Sequence, residues 1–187
     1  YQAMTWAKEL PHRVCGCLAI ATSPRLTCQA LAFDVVARNA IIRDPHFAEG
    51  QYYGQGSGPT VGLALARMLG HITYLSREAM ADKFDMDRQH PRDITTEFEK
   101  KFSVGSYLAY QGSKFVERFD ANSYISLSMA MDLFDLGDTR EKLVSALAQS
   151  HCRWLVVSFT SDWLFPPFQS RELVDALLVS DRPVSYC

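Results

Sequence analysis

No apolar run in this sequence reaches the roughly 18 residues that a membrane-spanning helix needs, and no basic, apolar, small-residue order marks a secretion signal. An excess of one charge is missing too: 19 Lys and Arg stand against 21 Asp and Glu, mixed along the chain, for a net charge of −2. That balance argues against nucleic acid and against an anionic membrane as partners, and the expected location is the cytoplasm. The five cysteines are odd in number, and four lie in or beside apolar segments, which points to free buried thiols in a reducing compartment and against a disulfide frame. Cys15-Gly-Cys17 is too close for a zinc knuckle, no second Cys/His pair follows, and the five histidines are scattered singly, so no metal site is expected. The Gly-rich stretch 50–59 (GQYYGQGSGP) lacks both a GK[ST] ending and a preceding strand, which argues against a phosphate cradle.

What the chain does have is apolar content, 48% over 187 residues, enough for one good core. Its order reads as α/β alternation with an interruption. Residues 1–10 carry an apolar stripe at Ala3, Met4, Ala7 and Leu10, and 14–21 (VCGCLAIA) fits a buried strand. Ser23-Pro24 then offers a capping hydroxyl followed by Pro, and Leu26, Ala30, Phe33, Ala37 and Ile41 continue at helical spacing to Asp44-Pro45. From there to about His151 only helices are expected, over 61–70, 76–84, 98–119, 121–134 and 139–150, with a polar loop at 85–96. Asp138 with Glu141 resembles a capping box. Strand character resumes at Cys152, followed by a helix over 170–179 and a last strand from Pro183. This pattern implies a parallel sheet, with 1–44 and 151–187 as parts of one core and 45–150 as a helical cap or lid. The chain starts at Tyr1 on a helix with no N-cap before it and stops on a strand without turn chemistry, so it reads as a segment of something longer.

The stretch 156–167, VVSFTSDWLFPP, holds the main candidate. Trp154 to Phe159 reads as a strand apolar on both faces, of the kind covered by helices on both sides. Asp162 follows its C-terminal end, where open α/β sheets collect ligands and catalytic groups. The same position suits a residue that only caps a turn or the helix opened by Pro166 and Pro167.

Three strings, GLALARMLGHITYLS (62–76), YQGSKFVERFDANSY (110–124) and VVSFTSDWLFPP, closely resemble segments of homoserine O-acetyltransferases, and the likeness runs over almost the whole chain. The resemblance implies an α/β-hydrolase fold, here a partial doubly wound parallel sheet with a helical cap insertion. In that fold the catalytic residues follow the order Ser, acid, His. Asp162 would be the acid, with the Ser a few residues before Tyr1 and the His a short way beyond Cys187, so residues 1–187 alone should be inactive. Arg67 would hold the amino-acid carboxylate and Tyr74 would line the same pocket. Their spacing of seven suits one helix face, although Arg67 taken by itself reads as an ordinary surface residue. The implied reaction moves an acetyl group from acetyl-CoA to the hydroxyl of L-homoserine, with no permanently bound cofactor and with a homodimer as the working form. Three rivals stay open: a succinyl-CoA enzyme acting on homoserine or serine, an esterase of the same fold, and a non-enzymatic helical interaction module.

Overall fold

The structure, a computed structural model, describes residues 1–84 and 102–187. These divide into two compact units, Tyr1–Leu31 with Met129–Cys187, and Ala32–Ser128. The polar stretch 85–96 and the first residues of the helix expected from 98 lie outside the described residues, apart from its later part. Among the described residues no helix is long and apolar enough to cross a membrane.

The first unit is built on three parallel strands in the order β1 (Gly16–Ile20), β2 (Arg153–Val157), β3 (Val184–Tyr186). The β1–β2 register runs from Gly16↔Arg153 to Ile20↔Val157, and β2–β3 from Trp154↔Val184 to Val156↔Tyr186. Helices α1 (Gln2–Glu9), α7 (Arg140–Leu147) and α8 (Pro167–Val179) supply the cover. Met4 and Ala7 of α1, Leu143 and Leu147 of α7, and Leu173 and Leu177 of α8 pack in one cluster with Cys17, Ala19, Trp154 and Val156 of the strands. The only polar atom of the Trp154 ring, Nε1, donates to Ser150 Oγ at 3.1 Å, so this large side chain is buried without an orphaned donor.

Among the described residues the helical cover expected on both faces of the strands is present on one. Burial alternates along β1, with Cys17 and Ala19 inside while Leu18 and Ile20 remain 63% and 51% exposed. The thiols also differ from expectation. All five are free, but only Cys17 and Cys152 are buried, whereas Cys15, Cys28 and Cys187 are exposed. Burial, then the neighbouring Cys152, pushes the Cys17 thiol up to about 11, so it stays protonated and inert.

The second unit is helical, with α3 (Thr60–Thr73), α4 (Arg77–Phe84) and α5 (Ser103–Val116), and it shares α2 (Cys28–Ile42) and α6 (Ala121–Asp132) with the first. Ala37, Ile41, Leu63, Ala66, Phe115 and Ala121 form its core with Tyr52. Two helix starts fall elsewhere than expected. Thr27, not Ser23, caps α2 through Oγ1, which accepts from the Ala30 N–H at 3.1 Å, while Ser23 is fully buried beside the Tyr1 hydroxyl at 3.2 Å. Thr139, not Asp138, caps α7 by accepting from the Lys142 N–H, and Asp138 pairs instead with the Lys142 ammonium at 2.8 Å.

Buried Asp44 fastens α3 to the end of α2. Its Oδ2 accepts from the Gly62 N–H at 2.8 Å and its Oδ1 from the His46 N–H at 2.9 Å. Gly62 is required for the approach, because a Cβ there would lie 2.7 Å from Ile41 Cα and press on the Ala40 carbonyl. Gly62→Ala should therefore lower stability by about 1–3 kcal/mol, read as a fall in the denaturant midpoint, since neither contact is a flexible side-chain end. Burial raises the Asp44 carboxyl, but the Gly62 and His46 hydrogen bonds and the His46 charge outweigh it, and the net direction is below the ordinary 3.8. A depressed folded pKa stabilises above the unfolded value and loses that contribution as the pH falls through the folded one. Stability should decline on acidification below 3.8, and Asp44→Asn should flatten that slope in denaturation series run from pH 6 to pH 3.

Candidate functional site

Asp162 sits in the turn that carries the chain from β2 to α8. Local chemistry makes the turn: Asp162 N–H donates to the Phe159 carbonyl at 3.1 Å, and Pro166 and Pro167 start α8 with the second Pro at a helical first position. The carboxylate accepts from the Leu164 N–H at 3.0 Å and the Phe165 N–H at 2.8 Å, both on Oδ1. The turn-capping role anticipated from its position is thus real. It also fixes the carboxylate while Oδ2 takes no hydrogen bond among the described residues, and the group is half-buried. A carboxylate held by one oxygen and open at the other can orient a donor brought to it.

Arg67 and Tyr74 lie in the other unit, on one face of α3 and its C-cap, and the structure brings them together. Arg67 Nη1 donates to the Tyr74 hydroxyl at 3.2 Å, and its guanidinium carbon stands 5.2 Å from the Tyr74 ring centroid and 4.7 Å from that of Phe115. No carboxylate pairs with Arg67 among the described residues. Two aromatic faces therefore hold a planar cation that keeps most of its donors unspent, an arrangement fit for an incoming carboxylate.

His71 and Tyr107, which are not among the site residues expected from the sequence, also belong to this neighbourhood. His71, one helical turn beyond Arg67 and 8% exposed, has Nδ1 at 3.1 Å from the Tyr107 hydroxyl and its ring edge against Tyr74 at 5.3 Å between centroids. Burial, then the charges of Arg67, Arg118 and Lys83, lowers its pKa, so it is neutral at pH 7 and packs beside Tyr74 without adding charge. Its i,i+4 spacing from Arg67 was the available signal. Tyr107 and Phe115 come from α5, and no local pattern pointed to them.

No protein-family profile matches the chain. It is 61% identical, over its whole length and 30% of the relative's, to the bifunctional methionine biosynthesis protein MetXA/MetW of Rhodopirellula baltica. It is 47% identical to a homoserine O-succinyltransferase of Acinetobacter baylyi, over 99% of this chain and 48% of that one. The chain thus spans about half the length, or less, of these curated relatives. Among solved structures, homoserine O-acetyltransferase from Bacillus anthracis superposes with a TM-score of 0.83 at 21% identity, covering 99% of this chain and 49% of that one. Esterase E22 superposes with a TM-score of 0.86 at 20% identity, covering 100% and 50%. At such identities the structures speak for the fold, and the parallel three-stranded sheet agrees with it. Taken with the sequence relatives, they place this chain in the homoserine O-acyltransferase family, with the α/β-hydrolase fold.

Proposed function

We propose that this chain is part of an enzyme of methionine biosynthesis that transfers an acyl group from an acyl-CoA thioester to the hydroxyl of L-homoserine. The observation that carries the reading is Arg67, a guanidinium set between the Tyr74 and Phe115 rings with no carboxylate of its own among the described residues. It offers a bidentate fork to the α-carboxylate of an amino acid, and Tyr74 lines the same position. Asp162 is the acid of the triad. A serine and a histidine outside residues 1–187 complete it, and acyl-CoA is a substrate, not a resident cofactor.

The steps follow the chemistry of covalent acyl transfer. The serine oxygen attacks the thioester carbonyl as the imidazole takes its proton, and the C–S bond breaks with that proton leaving on the CoA thiol. The homoserine hydroxyl, deprotonated by the same imidazole, then attacks the acyl-serine ester, and the serine recovers its proton as the product ester leaves. Asp162 Oδ2 accepts from the imidazole N–H and stabilises the imidazolium, while Oδ1 stays on the Leu164 and Phe165 amides. Residues 45–150 act as the cap that limits water and so favours transfer over hydrolysis. The working enzyme is a homodimer.

Acetyl-CoA is the donor that the three sequence strings suggest. Succinyl-CoA is the second reading, and the name of the 47%-identical relative, a homoserine O-succinyltransferase, favours it. Turnover with the two thioesters at equal concentration separates them, and release of free acid without homoserine would mark an esterase instead.

In a chain that carries the complete triad, Asp162→Asn should reduce kcat by roughly 10³–10⁴-fold with little change in KM, because the substituted amide favours the wrong imidazole tautomer. Near-normal turnover would refute the assignment. Arg67→Ala should raise the KM for homoserine by roughly 10–100-fold while leaving that for acyl-CoA unchanged, and Arg67→Lys should restore only part of the loss because it lacks the fork.

A further inference from the structure

A concave site lies within the Ala32–Ser128 unit, apart from Arg67 and Tyr74. A cavity of about 290 Å³ opens there, lined by Tyr52, Tyr53 and the Gly-rich stretch together with Leu63, Phe119 and Asp120. That volume is at the lower limit of small-ligand pockets, so it suits one compact group. Its rim is open, since a Cβ placed on Gly54 or Gly56 would meet nothing within 4 Å. Its wall is firm. Gly58, at φ +65, lets the Tyr52 ring close in where a Cβ would stand 2.7 Å from it, and the Tyr52 hydroxyl donates to Asp120 Oδ1 at 2.5 Å. The Tyr53 hydroxyl reaches both Asp120 oxygens at 3.1 Å, and the Ser123 N–H donates to Oδ2 at 2.8 Å.

The charge in this cavity is unbalanced. Burial raises the Asp120 carboxyl, but hydrogen bonds from Tyr52, Ser123 and Tyr53 outweigh it and hold it below the ordinary 3.8, so it is ionised at neutral pH. Every donor to it is neutral, and no Lys or Arg pairs with it among the described residues. The start of α6 offsets only part of the charge, by roughly half a unit. Around the carboxylate stand three aromatic rings, Tyr52, Tyr53 and Phe119, the first two with centroids 4.6 Å apart. Aromatic faces and a carboxylate both repel an anion. A neutral apolar occupant would strip water from the carboxylate with nothing in return. A cation with an apolar shell satisfies the charge and the rings together.

We propose that this cavity binds a small organic cation, an alkylammonium or quaternary ammonium group, through the charge of Asp120 and the Tyr52, Tyr53 and Phe119 rings that line it. The site is independent of the acyl-transfer reading, and binding is measured without turnover. The protein carrying this chain is titrated with choline and with n-butylammonium, each against its neutral counterpart, 3,3-dimethylbutan-1-ol and butan-1-ol, by ligand-observed NMR. At least one cation should bind roughly tenfold or more tightly than its neutral counterpart, and Asp120→Asn should remove that preference. Because Asp120 also holds the start of α6, Tyr53→Leu serves as the second variant. The Tyr53 ring is 64% exposed, so its loss should leave the unfolding midpoint in place yet weaken cation binding by roughly fivefold or more. Absence of saturable binding by both cations, equal binding of the neutral counterparts, or undiminished binding by a folded Asp120→Asn or Tyr53→Leu variant would overturn the proposal.

Discussion

The parallel ladder between β1 and β2 is the constraint on which the rest of the described structure depends. Five residue pairs, Gly16↔Arg153 to Ile20↔Val157, join stretches that lie far apart along the chain. Parallel strands cannot be closed by a tight turn, so everything between them leaves the sheet and must return to it. The entropy of closing so long a loop grows only with the logarithm of its length, and an insertion of many helices is therefore tolerated once the ladder and its cover hold. The cover is the cluster of α1, α7 and α8 on Cys17, Ala19, Trp154 and Val156. With β2 anchored in this way, the start of its C-terminal turn is anchored too, and Asp162 takes its position from a buried scaffold together with the hydrogen bonds of its own turn.

Much of this was legible in the residues, and the misses have physical causes. The strands at 14–21 and from Cys152, the helices between them, and the Pro pair opening α8 all follow from periodicity and turn chemistry. The caps of α2 and α7 were misplaced because neighbouring hydroxyl and carboxylate side chains can each serve, and only packing decides: Ser23 is drawn inside against Tyr1, and Asp138 turns to Lys142. At the candidate site the divide is the same. The pairing of Arg67 with Tyr74 could be read from a spacing of seven on one helix, but Phe115, which holds the other face of the guanidinium, arrives from α5. The Tyr52–Tyr53–Asp120 cluster joins residues almost 70 positions apart, beyond the reach of any local pattern.

The carboxylates of Asp44, Asp120 and Asp162 illustrate how one side chain is put to different uses by its hydrogen bonds. Asp44 spends both oxygens on backbone amides and is sealed inside, so its charge serves the joint between α2 and α3. Asp120 gathers two phenols and an amide but keeps its charge at the wall of a cavity. Asp162 commits one oxygen to its own turn and leaves the other available. The distinction does not lie in local sequence, since Asp beside Pro, Ala or Trp is ordinary in each case; it lies in which donors the fold brings near.

The bare face of β1 carries a lesson for anyone who handles these residues by themselves. Leu18 and Ile20 are exposed on a strand that, among the described residues, has a hydrogen-bonded neighbour on one side only, a combination that invites another chain to add itself through backbone pairing and apolar contact. Sedimentation or cross-linking of the isolated segment would register that stickiness as an oligomer, and its stoichiometry would report on the sheet margin and not on any assembly made by the helices.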